Sequence, residues 1–189
     1  MAKKRLPCLT ADQLAKVLSV CKNVRDKALV LFMADSGLRR SEVIALDWDD
    51  VDILSGLVRV RRGKGGKSRS AVVGATTRRA LVVYRRTLGN PENNSPLFQS
   101  RNCDRFSGPG FLQIFRRLSK QAEIHVTPHA LRRTFVILSL RSGMDVLHLQ
   151  AMLGHASLDM VQHYAQMIDE DLINAHREHG PIDSIKRLI

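Results

Sequence analysis

The run Thr127-Pro128-His129-Ala130-Leu131-Arg132-Arg133-Thr134-Phe135 and, further on, Leu153-Gly154-His155-Ala156-Ser157-Leu158-Asp159-Met160-Val161-Gln162-His163-Tyr164 decide how this chain is read. The first run opens a helix. Thr127 can cap it, and Pro128 suits the first helical position, where a missing N–H costs nothing. His129 and Arg132 then project from one face of the first turn. The open N–H groups of a helix start favour a bound anion, so a His, an Arg and a helix N-terminus together describe a phosphate site. His155 follows on a Gly-His turn, and Tyr164 lies late in a short helix that Ser157 can cap.

Outward from this stretch, 189 residues make one domain, or one with a small appendage. The formal charge is +12, with a sequence pI near 10.4. The excess is concentrated: between Ile53 and Pro91 there are ten Lys or Arg and no Asp or Glu. Like charges so crowded repel one another unless a polyanion neutralises them, so nucleic acid is the expected partner. Three cysteines, Cys8, Cys21 and Cys103, show neither disulfide nor zinc spacing, which fits a reducing cytoplasm. His155 and His163 have no sensible carboxylate or cysteine partners, so no metal and no cofactor are expected. No apolar run approaches membrane-spanning length, and Met1-Ala2-Lys3-Lys4-Arg5 leads into no signal-peptide core.

In chain order, Thr10 and Gln13 make a capping box before Leu14, Val17 and Leu18 at helical spacing. A second helix is expected over about 25–35, ended by Gly37, and a third opens in Leu38-Arg39-Arg40-Ser41-Glu42, with Trp48 in the core. Leu57-Val58-Arg59-Val60-Arg61 and Ser70-Ala71-Val72-Val73 alternate with period two around Gly63-Lys64-Gly65-Gly66-Lys67. This predicts a β-hairpin with a glycine-rich tip. Gly66-Lys67-Ser68 imitates a phosphate-binding P-loop, but Arg61 stands where that motif needs glycine, and a strand follows instead of a helix. Helices are expected over 76–88, with Tyr84 packed, and over 111–122, with a short strand at Leu97-Phe98. Asp145 should cap a helix to Leu153, and an amphipathic helix should run from about 169 to 179. The fold class is α+β, mostly helical, with one small antiparallel sheet.

Asp35-Ser36-Gly37-Leu38-Arg39-Arg40-Ser41-Glu42-Val43, Gly63-Lys64-Gly65-Gly66-Lys67, His129-Ala130-Leu131-Arg132, Leu153-Gly154-His155 and Tyr164 occur in the order and spacing of the tyrosine recombinase (phage integrase) family. Any one motif is weak; five in order are specific. The resemblance covers the chain from about Leu9 onward and implies a basic tail over 1–8 and a catalytic domain over 9–189. It matches Arg39 to the first motif arginine, Lys64 to the hairpin lysine, His129 and Arg132 to the His-x-x-Arg pair, His155 to the second histidine and Tyr164 to the nucleophile. Ala175-His176-Arg177 through Pro181 resembles the tail by which such domains dock on a neighbour, which implies a homo-oligomer, a tetramer on DNA. The family usually places a helical core-binding domain first, and here about eight residues precede the catalytic region, so that half is expected to be trimmed or supplied by a partner.

The implied chemistry suits these residue types. Arg39 and Arg132 would orient the non-bridging phosphate oxygens with planar, permanently charged forks. His155 would add a hydrogen bond as charge builds at phosphorus, and His129 would take the proton of Tyr164. Lys64 would protonate the leaving 5′-oxygen. Arg59, Arg61, Arg62, Lys67, Arg69 and Arg133 are the expected phosphate contacts. A topoisomerase-like nicking-closing enzyme and a non-catalytic DNA-binding relative are the alternative readings.

Overall fold

Local signals place most of the helices. The computed structural model describes residues 8–61, 68–154 and 176–177. Helix α1 (Ala11–Ser19) starts at Thr10, whose Oγ1 accepts the Gln13 N–H at 3.2 Å while the Gln13 side chain accepts the Thr10 N–H at 3.0 Å. Helix α2 (Val24–Ser36) is capped by Asn23 and buries Ala28, Leu29, Val30, Phe32 and Met33. A helix apolar on so many sides belongs at the centre of a domain, and α2 packs against α1, α4, α6 and β2. It ends on Gly37 at φ 60°, where a Cβ would lie 2.2 Å from Cδ1 of Phe135. Only a glycine lets the chain turn there with an aromatic ring against its backbone.

Helix α3 (Arg40–Ala45) leads to a 3₁₀ turn at Trp48–Asp50. Trp48 is buried beside Tyr84, as expected for a core residue, and the Arg85 guanidinium lies 5.2 Å from the Trp48 ring centroid. Strands β1 (Leu57–Val60) and β2 (Arg69–Val72) pair antiparallel, Val58 opposite Ala71, Arg59 opposite Ser70 and Val60 opposite Arg69. Val58, Val60 and Ala71 face the core, while Arg59 and Ser70 face solvent.

Helix α4 (Ala75–Thr87) has no capping side chain of its own. Asp35, at the end of α2, accepts the Gly74 N–H at 2.7 Å and the Thr77 hydroxyl at 2.6 Å. Tyr84 is packed as expected, and its hydroxyl accepts the Gln99 N–H at 3.1 Å. The expected strand at Leu97-Phe98 does not form. Both side chains are buried, but only the isolated bridges Asp47–Pro96 and Gln99–Arg105 flank them, because Pro96 has no N–H to extend a ladder. Helix α5 (Gly108–Ala122) begins earlier than the apolar pattern suggested, since Ser107 caps it and Pro109 occupies its first turn.

Helix α6 (Pro128–Arg141) starts as read, Thr127 Oγ1 accepting the Ala130 N–H at 3.0 Å. Helix α7 (Val146–Leu153) starts at Asp145, which accepts the N–H groups of Leu147 and His148. The main core joins α1 to α5, both strands and the first turns of α6. A smaller cluster of Phe135, Val136, Leu149 and Leu153 lies between the rest of α6 and α7. Among the described residues the fold is thus mostly helical with one two-stranded sheet, as expected. No described helix is long and apolar enough to cross a membrane. The expected helices around Tyr164 and over 169–179 lie outside the described residues, apart from His176 and Arg177, which are helical.

Candidate active site

Three motifs distant in sequence meet where α6 passes between the two clusters. Arg132 lies on the inward face of α6 and is 2% exposed. Its guanidinium donates to the carbonyl of Gly37, which closes α2, and to the carbonyl of Leu153, which closes α7, the latter at 3.2 Å. Burial first, then the charge of Arg39, pulls its pKa down to about 10, so it remains a cation at neutral pH. Arg39 stands at the N-cap of α3 with its side chain 30% exposed, the more open of the two arginines.

Glu42, which the sequence reading passed over, organises the other side. Its carboxylate is buried and accepts the Arg39 N–H at 2.7 Å and Arg39 Nη1 at 3.1 Å. Arg69 grips the same carboxylate with both forks, at 2.8 and 2.7 Å, and donates through Nε to the Met152 carbonyl at 3.0 Å. Burial pushes the Glu42 pKa up, but the Arg69 hydrogen bond, the Arg39 N–H and the Arg69 charge outweigh it and hold the group below the ordinary carboxylate value. Glu42 is therefore an anion shared between two arginines.

His129 is exposed at the start of α6. Its pKa is lowered by the protein packed around it, then by the charges of Arg133 and Arg132. At neutral pH it is an uncharged imidazole able to accept a proton. Gly154 takes φ 80° and ψ 150°, a region open essentially to glycine alone, and a Cβ there would lie 3.4 Å from Cδ of Arg69.

Two of the expected phosphate contacts lie close to the interior. Arg69 shares the strand parity of buried Ala71 and Val73, which turns its guanidinium inward to Glu42. That alternation was present in the sequence and could have found it. Arg133 is 9% exposed on the inner side of α6, not on an open surface. Arg59 is exposed on the solvent face of β1, and Arg61, its side chain 61% exposed, pairs with buried Asp50. Arg62, Lys64, Lys67, His155 and Tyr164 lie outside the described residues. Among the described residues, no group of three or more His, Cys, Asp or Glu side chains is placed to hold a metal ion.

The chain is similar to known proteins in sequence and in fold. The tyrosine recombinase XerA of Pyrococcus horikoshii is 35% identical over 187 residues, which is 96% of this chain and 65% of that protein. A crystal structure of XerA recombinase superposes with a TM-score of 0.81 at 30% identity, over 96% of this chain and 66% of that one. XerH site-specific recombinase, in a post-cleavage complex on a palindromic difH substrate, gives a TM-score of 0.75 at 22% identity and shares the fold, over 92% of this chain and 53% of that one. The chain thus spans between half and two thirds of the length of these relatives. The model of the phage integrase family matches residues 7–171. Buried Arg132 tying the ends of α2 and α7 together, Arg39 beside Glu42 and this extended match lead to one conclusion: the chain belongs to the phage integrase family, the tyrosine recombinases.

Proposed function

We propose that this chain is the catalytic portion of a site-specific DNA recombinase, which breaks and rejoins strands through a 3′-phosphotyrosyl intermediate. The observation that carries the reading is Arg132, hydrogen-bonded to the Gly37 carbonyl 95 residues away and to the Leu153 carbonyl, so that residues of three separate motifs meet at one buried cation. A phosphodiester resists attack because its anionic oxygens repel nucleophiles and its alkoxide leaves poorly. Arg39 and Arg132 answer the first difficulty as preorganised donors that need no rearrangement as charge builds on the phosphoryl oxygens.

Tyr164 Oη attacks phosphorus and passes its proton to neutral His129. The bond to the 5′-oxygen breaks, and that oxygen takes a proton from Lys64, leaving a 5′-hydroxyl. His155 hydrogen-bonds a non-bridging oxygen. The phosphotyrosyl bond conserves the energy of the diester, so a second 5′-hydroxyl reseals it without ATP. The basic span from Ile53 to Pro91 binds duplex DNA through phosphates, and assembly as a tetramer on DNA through the C-terminal helix completes the exchange.

A duplex nicked near the cleavage point tests this, because loss of the short 5′-strand traps covalent adduct. Wild type should accumulate adduct, and Tyr164→Phe should bind DNA without forming any. Arg132→Ala and Arg39→Ala should each slow trapping about 10²–10³-fold. Adduct formed by the Tyr164→Phe variant would remove the nucleophile assignment, and none from wild type would remove the strand-transfer reading.

A further inference from the structure

Two arginines near the site are held in a similar way. Arg39 is anchored on buried Glu42 and keeps its side chain 30% exposed. Arg61, the residue after β1, is anchored on Asp50, which is 2% exposed, and keeps its own side chain 61% exposed. Glu42 and Asp50 both line one cavity of about 460 Å³ between α3, the 3₁₀ turn and β1, together with Ser41 and Arg61. Asp50 is fixed from its other side, since Oδ2 accepts the Asp47 N–H at 2.9 Å in a turn whose Trp48 is packed in the core. Its Oδ1 accepts no directed hydrogen bond, and Arg61 Nε is the cation paired with it among the described residues. Nη1 and Nη2 of Arg61 donate no hydrogen bond to a described residue. Two carboxylates in its wall make the cavity a poor place for an anion, so a phosphate approaches Arg61 from solvent. There the planar Nη1–Nη2 edge matches two phosphate oxygens.

We infer that Asp50 is a positioning residue: it holds Arg61 by Nε, so that the Nη edge stands ready for a duplex phosphate flanking the scissile one. The inference rests on the strand-transfer reading above, which supplies the duplex. An exposed arginine gives up rotamer freedom when it grips a phosphate, and that cost weakens the contact. Here a carboxylate fixed in the core has already removed much of that freedom. A guanidinium is required, because Asp50 and the phosphate are met along two different edges, and the point charge of a lysine has none.

Equilibrium binding of a short labelled duplex, read by fluorescence anisotropy from about 50 to 200 mM salt, tests this without any cleavage. Each variant is first checked for a folded state by thermal unfolding. Arg61→Gln should bind about tenfold more weakly at the low-salt end and flatten the log–log slope by about 0.9, the share of one phosphate contact. Asp50→Asn keeps an acceptor for the Asp47 N–H and removes only the charge. It should bind about threefold more weakly with the wild-type slope, since Arg61 still reaches the phosphate but must be ordered on binding. Arg61→Lys should also keep the slope and lose affinity, and it should lose clearly less in the Asp50→Asn background, where the anchor is already gone. An unchanged slope in Arg61→Gln would overturn the proposal. So would tighter binding by Asp50→Asn, which would make the pair a restraint on Arg61, or equal losses for Arg61→Lys in the two backgrounds. Should Asp50→Asn fail to fold, the Arg61 variants decide, and wild-type affinity in Arg61→Lys then sinks the clamp. A wild type indifferent to salt would remove duplex binding and the clamp with it. A wild type that binds with a steep slope yet traps no adduct would remove strand transfer and leave the Arg61 and Asp50 results to stand.

Discussion

The two apolar clusters are built on different terms. The main one interlocks Phe32, Phe98 and Tyr84 with Phe111, Phe115, Leu118 and residues from α1 through α6, every one of them nearly inaccessible to solvent. The one under α7 has Phe135, Val136, Leu149 and Leu153, with partly buried Ile137, Leu140, Met144, Val146 and Met152 at its edge. Around the second cluster polar bonds take over: Asp145 holds the start of α7, and Arg69 and Arg132 hold its end. The difference teaches that a stable platform and an adjustable turn are separated within one chain. The sides of the site that carry Arg39 and Glu42 rest on close packing. The side that leads to His155 rests on directed hydrogen bonds, whose net contribution is smaller and which break locally at lower cost.

Several changes would break or sharpen this contrast. Phe115→Ala, in the main core, should remove about 3–5 kcal/mol of global stability, read as a lower denaturant midpoint, while the folded fraction keeps its trapping rate. A loss under 1 kcal/mol would mean the site is looser than its burial indicates. Leu149→Ala in the small cluster should cost about 2–3 kcal/mol, and the loss should be local. Amides of α7 would exchange faster while those of α5 stay protected, and equal acceleration in both would show one cooperative unit instead of two. Asp145→Ala removes an acceptor of two N–H groups at the head of α7 and should cost about 1 kcal/mol, again confined to α7 amides.

The smallest effect should come from titrating His129, at the joint between the regions. Its folded pKa lies below the ordinary value near 6.5, so as pH falls through 6.5 the unfolded chain takes up the proton first. Stability should therefore decline slightly from 6.5 down to the lowered folded pKa and level off below it, and His129→Gln should abolish that decline. The trapping rate should stay flat from pH 8 to 6.5 and fall only at lower pH, as the proton acceptor is lost. An acid limb centred above 6.5 would assign it to another group.

Residues that act on near neighbours were legible without coordinates. Thr10 with Gln13, Thr127 with Pro128, and Asp145 each cap a helix within a few residues, and Gly37 ends α2 because its φ is positive. The period-two alternation placed the hairpin and the core side of Val58 and Val60. The fold class and the order of the motifs also followed from local pattern, since helix and strand periods are written in the side chains themselves.

What only the tertiary structure decided is where charges end up. Asp35 caps α4 from α2, Glu42 binds two arginines from different elements, and Arg132 closes two helices at once. Leu97-Phe98 had the apolar character of a strand but fills the core without a ladder. Composition marks Arg69 and Arg133 as cations like the others, and a basic chain suggests an outward role for all of them. A charge taken out of water is tolerated only where packing delivers an anion or carbonyl to meet it, and that meeting joins residues the sequence holds far apart.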